Sequence, residues 1–207
     1  MKHELWERYP ALKVCEQSLD AAVQALIACF ENDGKLLLCG NGGSCTDCEH
    51  IVGELMKGFL KMRPLNADTR KAMTDRCGEV APMLDRLQGG LPAISLPSFT
   101  ALNSAFCNDV DPELMYAQSL MGLGRRGDIL LALSTSGNSK NVVAAVKVAK
   151  SLGLMVIGLT GQSGGAIKAL ADITICVPET ETFKVQELHL PVYHYLCAAV
   201  EQHFFRT

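Results

Sequence analysis

Two short segments concentrate groups able to hold an anion: GNGGS at residues 40–44 and STSGNS at residues 134–139. Each follows an apolar run and precedes a helix-like pattern, so each would open a helix. A helix N-terminus carries unpaired N–H groups and about half a positive charge. Hydroxyls add donors, and glycine lets the backbone come close to a ligand. The chemistry expected at STSGNS is therefore phosphate held by uncharged donors. Simple helix capping by Ser136 or Asn138 is the alternative, but a cap needs one such residue rather than five in six. GNGGS alone is equally consistent with an ordinary strand-to-helix turn. Neither segment fits G-x-x-x-x-G-K-[ST], which disfavours a nucleotide triphosphatase.

A second set of residues could move protons or bind metal. His50 and Glu54 are four apart, on one face of a helix and one turn from each other. They suit a metal, a base beside a polarising ion, or only a polar surface pair. Their position one to three turns after GNGGS brings them toward any ligand there. His189 and His194 are five apart and point about 140° away from each other on a helix, so they do not easily share one metal. Cys45 and Cys48 form a lone C-x-x-C with no second cysteine pair at zinc-finger spacing, and are read as helix positions.

The elements that must position these groups alternate. Helical patterns are expected at residues 10–32, extending back to about residue 3, and at 44–57, 99–108, 112–123, 138–152, 165–170 and 184–205. Short apolar strands are expected at residues 35–39, 92–96, 128–133, 154–160 and 172–177. Residues 60–90 carry Pro64, Pro82, Gly89 and Gly90 and more charge. They read as an insertion with one or two exposed helices, serving as a lid or an interface element. Apolar strands separated by helices imply a parallel sheet covered on both faces. The expected fold is α/β: a three-layer αβα sandwich around a mostly parallel five-stranded sheet, one domain over residues 1–207. Pro191 would kink the final helix.

Bulk properties narrow the class. A chain of 207 residues with 48% hydrophobic content can bury a sizeable core. A net charge of −3 argues against a general nucleic-acid binder. No apolar run approaches a membrane span, and the N-terminus lacks a signal-peptide core. Nine cysteines without export signal or pattern disfavour a disulfide framework. A cytosolic protein is expected.

The segments CGNGGSCTDCEHIVGEL, CNDV, GRRGDILLALSTSGNSKNVVAAVKVAKSLGLMVIGLTGQSGG, LADITICVP and VQELHLPVYHYLC resemble the sugar isomerase (SIS) domain family, and within it the phosphoheptose isomerases. The broad family is marked by GNGGS and STSGNS. H-x-x-x-E after GNGGS, together with Q-E-x-H-x-x-x-x-H, is more specific for the isomerases. The resemblance implies an αβα fold, a homotetramer with active sites between subunits, and interconversion of sedoheptulose 7-phosphate and D-glycero-D-manno-heptose 7-phosphate. It implies Glu54 and His194 as the acid/base pair, and one zinc per subunit on His50, Glu54, Gln186 and His194. The implied substrate contacts are Asn41, Gly42, Gly43, Ser44, Asn108, Asp109, Ser134, Thr135, Ser136, Ser139, Gln186 and Glu54. The chain departs from the family in its longer stretch after Glu54. Rivals on the same scaffold are an isomerase of another sugar phosphate and a noncatalytic phosphosugar- or protein-binding regulator.

Overall fold

The structure is a computed structural model that describes residues 2–205. Five strands form one wholly parallel sheet: β1 (Leu36–Cys39), β2 (Ala93–Ser95), β3 (Ile129–Ser134), β4 (Met155–Thr160) and β5 (Ile173–Cys176). Their spatial order is β2-β1-β3-β4-β5. Side chains alternate between faces along each strand. Leu36, Leu38, Ile129, Leu131 and Leu133 enter one core, and Leu37, Cys39, Leu130 and Ala132 enter the other. Both faces being covered explains why the strands read as continuous apolar runs.

The first face is covered by α1 (Lys2–Arg8), α2 (Glu16–Glu31), α3 (Gly43–Met56) and α9 (Thr182–Phe204). The second is covered by α6 (Met115–Leu123), α7 (Lys140–Ser151) and α8 (Gly165–Leu170). A further helix, α5 (Thr100–Asp109), leads toward α6. The three-layer expectation holds.

The N-terminal helix expected over about residues 3–32 is instead three pieces. A 3-10 turn, Pro10–Cys15, separates α1 from α2. Pro10 has no N–H to continue α1, and the residue before a proline is pushed out of the helical region; Tyr9 sits at φ −134°, ψ 68°. Residues 112–123 likewise begin with a 3-10 turn, Pro112–Leu114, before α6. By contrast, α9 runs through Pro191 as one helix.

The insertion contains α4 (Ala67–Arg76) and a 3-10 turn, Gly78–Met83. No residue of α4 is buried. Its base is pinned: Gly89 N–H donates to Arg63 O at 2.8 Å, Gly58 N–H donates to Gln88 Oε1 at 2.7 Å, and Pro64 bridges Gln88.

Beneath that base lies a buried ion pair. Arg63 is fully buried, and its Nε meets Glu201 Oε1 at 2.8 Å. Nη1 donates to Leu55 O at 2.6 Å and Nη2 to Glu54 O at 2.9 Å. Arg63 thus satisfies carbonyls at the C-terminal end of α3, where the helix dipole favours a cation. Glu201 accepts from the backbone N–H groups of Phe59 and Leu60, both at 2.8 Å. The cluster fixes the end of α3 that carries Glu54.

Candidate active site

The strand order reverses direction at β1 and β3, which are neighbours. Ligands of open α/β sheets bind beyond the strand C-termini at such a switch point. GNGGS follows β1 and STSGNS follows β3, so the sheet sets the two loops side by side.

The hydroxyls of STSGNS do not cap α7. The N-cap is Ser139, and no side chain caps that helix end. Ser139 Oγ instead pairs with Ser134 Oγ at 3.0 Å. Asn138 turns away: its Oδ1 accepts from Ala166 N–H at 2.9 Å, tying the loop to α8. Gly137 has φ +69°, and a Cβ there would lie 2.1 Å from Gly164 O, so only glycine fits. Among the described residues, no backbone or side-chain acceptor takes the N–H of Ser136, Ser139, Lys140 or Asn141. Free amides beside hydroxyls at a helix N-terminus form an anion cradle. The capping alternative is set aside for this loop.

Where β1 ends, α3 begins directly from GNGGS, with Gly42 as its N-cap at φ +56°. Gly43 is needed for a close approach: an added Cβ would sit 2.5 Å from Gln186 Nε2. Gln186, on α9, therefore lies against the turn.

Seven residues along α3, about 10 Å of helix, lies a second cluster. His50 Nε2 is 3.1 Å from Glu54 Oε1, and His50 Nδ1 is 3.0 Å from Tyr193 Oη. Tyr193 Oη donates to Asp47 Oδ1 at 3.2 Å. The tyrosine oxygen then accepts from His50 Nδ1–H, so the His50–Glu54 contact needs one proton between its two partners. His194 packs edge-on to His50 with ring centroids 5.0 Å apart, and against Phe59 at 5.5 Å. Glu54 Oε2 and His194 Nε2 are buried without a hydrogen-bond partner. Two orphaned buried polar atoms, on the two residues that both contact the His50 ring, mark a place shaped for something polar.

The environment tunes these groups. Burial pushes the His194 imidazole below its ordinary pKa, with the neighbouring His50 adding to the effect. His194 is therefore neutral near pH 7, able to give and take a proton. Burial raises the Asp47 carboxyl, opposed by its bond from Tyr193. The cleft beyond His194, between α1 and α9, has a volume of about 350 Å³ and includes Arg8, Tyr9 and Phe59.

Most of the expected residues fall at these two places. Asn41, Gly42, Gly43, Ser44 and Gln186 gather at the first turn, with Ser134, Thr135, Ser136 and Ser139 on the adjacent loop. His50, Glu54 and His194 form the second cluster. Asn108 and Asp109 end α5, exposed, with Asn108 Nδ2 donating to Asp109 Oδ1 at 2.8 Å. Gln186 is not beside His50: the structure places it about two helical turns away, over Gly43. Among the described residues, no three His, Cys, Asp or Glu side chains are grouped to hold a metal ion. Cys45 and Cys48 are helix positions with free thiols, Cys48 buried. Tyr193 and Asp47 were not anticipated, since Tyr193 shows only as one aromatic in a helical stripe.

Comparison with known proteins places this geometry. Models described as SIS domain match residues 10–91 and 101–199. A phosphoheptose isomerase of Helicobacter pylori (strain P12) is 38% identical over 94% of this chain and 88% of the relative. The chain belongs to the SIS domain family. A phosphoheptose isomerase of Methylibium petroleiphilum is 39% identical over 92% of this chain and 84% of its own. Among solved structures, the phosphoheptose isomerase of Neisseria gonorrhoeae superposes with TM-score 0.76 at 31% identity, covering 94% of this chain and 91% of that one. That of Francisella tularensis gives 0.75 at 29%, covering 97% and 94%. As an SIS-domain protein, the chain carries its two glycine- and hydroxyl-rich loops where the sheet reverses, and its titratable cluster between α3 and α9.

Proposed function

We propose that this protein is an aldose–ketose isomerase that interconverts sedoheptulose 7-phosphate and D-glycero-D-manno-heptose 7-phosphate. The observation that carries the reading is the convergence of Glu54 and His194, 140 residues apart in sequence, on the His50 ring, with one orphaned polar atom each. The kinship with phosphoheptose isomerases over nearly the whole chain supports it. A noncatalytic binder has no need of such a pair. The separation between the phosphate cradle and this pair also favours a long sugar chain over a triose.

The STSGNS amides and hydroxyls bind the phosphate, and the backbone of Gly42 and Gly43 lines the opposite wall. In the ketose-to-aldose direction, Glu54 Oε2 takes a proton from C1. The C1–H electrons form a C1=C2 bond, and the C2 carbonyl oxygen takes a proton from His194. The resulting enediol collapses when the C1 hydroxyl gives up its proton to the imidazole and C2 receives one from Glu54. Neither residue is changed overall. Tyr193 and Asp47 hold His50, which in turn orients the Glu54 carboxylate.

Zinc is part of the same reading. The nitrogen and oxygen donors of His50, Glu54 and His194 suit zinc chemically. Glu54 Oε2 and His194 Nε2 are free to bind, although the contact between His50 Nε2 and Glu54 Oε1 must open and Gln186 must swing from Gly43. Bound zinc would polarise the substrate carbonyl oxygen. The proton transfers above are assigned to the side chains alone.

The assembly is read as a homotetramer with sites at subunit contacts. Exposed apolar side chains near the insertion base, Met56, Leu60 and Met62, suit burial between copies. A cytoplasmic location accompanies the reading; no helix among the described residues is long and apolar enough to cross a membrane.

The test is incubation with sedoheptulose 7-phosphate, with and without chelator, followed by product NMR. Glu54→Gln and His194→Gln should each lower turnover at least about 100-fold with folding and assembly unchanged. Wild-type turnover in either variant defeats the roles assigned. A different product from a panel of phosphorylated sugars would point to the same scaffold with another substrate.

A further inference from the structure

His50 uses both ring nitrogens, and the side of the ring away from Glu54 decides where its hydrogen sits. Tyr193 Oη stands 3.0 Å from His50 Nδ1 and donates to Asp47 Oδ1 at 3.2 Å. A phenol has one proton, and a carboxylate only accepts. With that proton directed at Asp47, the tyrosine oxygen can only accept from His50, so Nδ1 carries a hydrogen. A neutral imidazole then holds its lone pair on Nε2. That nitrogen lies 3.1 Å from Glu54 Oε1. Two electron-pair donors therefore face each other, and only a proton or a metal cation between them makes the contact favourable.

Two helices hold this state. Tyr193 is buried on α9, and its ring meets the imidazole edge-on with centroids 5.4 Å apart. Asp47 lies one turn before His50 on α3. Histidines that bind metal through one nitrogen donate the other N–H to a carboxylate, a carbonyl or water, which fixes the tautomer and the ring direction. Here the carboxylate acts through a phenol. Neither H-x-x-x-E nor Q-E-x-H-x-x-x-x-H specifies Tyr193 or Asp47.

We propose that Tyr193 and Asp47 are positioning residues for a divalent cation: together they keep hydrogen on His50 Nδ1, so that Nε2 presents its lone pair beside Glu54 Oε1. The proposal rests on the zinc part of the reading above. A brace that merely docked α9 on α3 would leave the choice of nitrogen open. Without the Tyr193 hydroxyl, His50 is free to carry its hydrogen on Nε2 and donate it to Glu54, which closes the pair to a metal.

The experiment uses the metal-free full chain and zinc itself. Zinc Kd is measured by competition with a chromogenic chelator for wild type, Tyr193→Phe and Asp47→Asn, alongside the Tm of each metal-free protein. Tyr193→Phe should weaken zinc about 10–100-fold, the usual cost of losing such a support, with little change in Tm. Asp47→Asn should weaken zinc as well. Zinc affinity close to wild type in either variant overturns the proposal, and so does a wild type that takes no zinc from the chelator. A second measurement needs no folded Tyr193 variant. In wild-type protein labelled with 15N-histidine and free of metal, the His50 resonances, identified by their absence from His50→Gln, should show hydrogen on Nδ1; a bare Nδ1 overturns the proposal. None of these readouts uses the sugar phosphate. Absent turnover of sedoheptulose 7-phosphate with the zinc results intact would therefore count against the isomerase reading alone.

Discussion

At the scale of single residues, Arg63 should have a large effect on stability. Its guanidinium is buried with Glu201 and two α3 carbonyls, so removing either partner leaves an uncompensated charge. Arg63→Met or Glu201→Leu should each cost about 3–5 kcal/mol, read as a lower urea midpoint, and the double change should cost less than the sum. Burial alone would raise the Glu201 carboxyl, but the N–H groups of Phe59 and Leu60 and the Arg63 side chain outweigh it and hold it below the usual carboxylate range. A carboxyl lowered in the folded state stabilises fully above its unfolded pKa, about 4.3, and that stabilisation is lost as pH falls through the folded value. His189 acts in a higher window. It is fully buried, and burial lowers its pKa to about 4 against a smaller opposing effect of the Thr160 backbone. Between the ordinary histidine value of about 6.5 and pH 4 the unfolded chain takes up a proton that the folded chain refuses. Stability should therefore fall across that range, and His189→Leu should flatten the fall in urea titrations at pH 7 and pH 5. None of these partnerships is legible in the sequence: Arg63 and Glu201 are 138 positions apart, Asn41 and Asn141 are 100 apart, and Tyr193 and His50 are 143 apart. Spacing reveals partners on one helix, such as His50 and Glu54, and is silent about those brought in by another.

At the scale of elements, α3 and α9 run in the same direction, because each returns from the same end of a parallel sheet. Gln186 over Gly43 and His194 beside His50 follow from that alignment. This is why the eight-position spacing of Gln186 and His194 separates them along the helix instead of converging them. The periodic patterns located every strand and most helices, because each apolar run is buried on both faces or on one stripe. They failed at Pro10 and Pro112, where the missing N–H and the restricted preceding residue override an apolar stripe that continues across the break. The insertion was legible through its prolines, glycines and charge, and its independence is a prediction. Leu84 is its one buried side chain between Asn66 and Leu87 among the described residues. Replacing residues 66–86 with a short glycine–serine turn should lower Tm by only a few degrees, measured by calorimetry, since the Gly89–Arg63 and Gly58–Gln88 contacts at its base remain.

At the scale of the whole molecule, the sheet order supplies what no single motif contains. Two glycine- and serine-rich turns come side by side only because β1 and β3 are neighbours although β2 intervenes in sequence. The molecule should also be larger than one chain. Sedimentation equilibrium should return about four times the 22.3 kDa chain mass, and charged substitutions such as Met62→Glu should shift it downward. A species of single-chain mass would remove the tetramer while leaving the intrachain cluster of Glu54 and His194 intact.

The ion pair between Arg63 and Glu201 has a consequence for biogenesis. On the ribosome, Arg63 is translated many seconds before Glu201, at the usual pace of about 5–20 residues per second. Throughout that interval the nascent polypeptide cannot enclose the guanidinium without its counter-ion, so docking of the early α3 segment must await the late helix. The same helix delivers His194. Enclosure of the guanidinium and arrival of His194 beside His50 therefore come in a single cooperative event, and a prematurely terminated product would be left open to proteases.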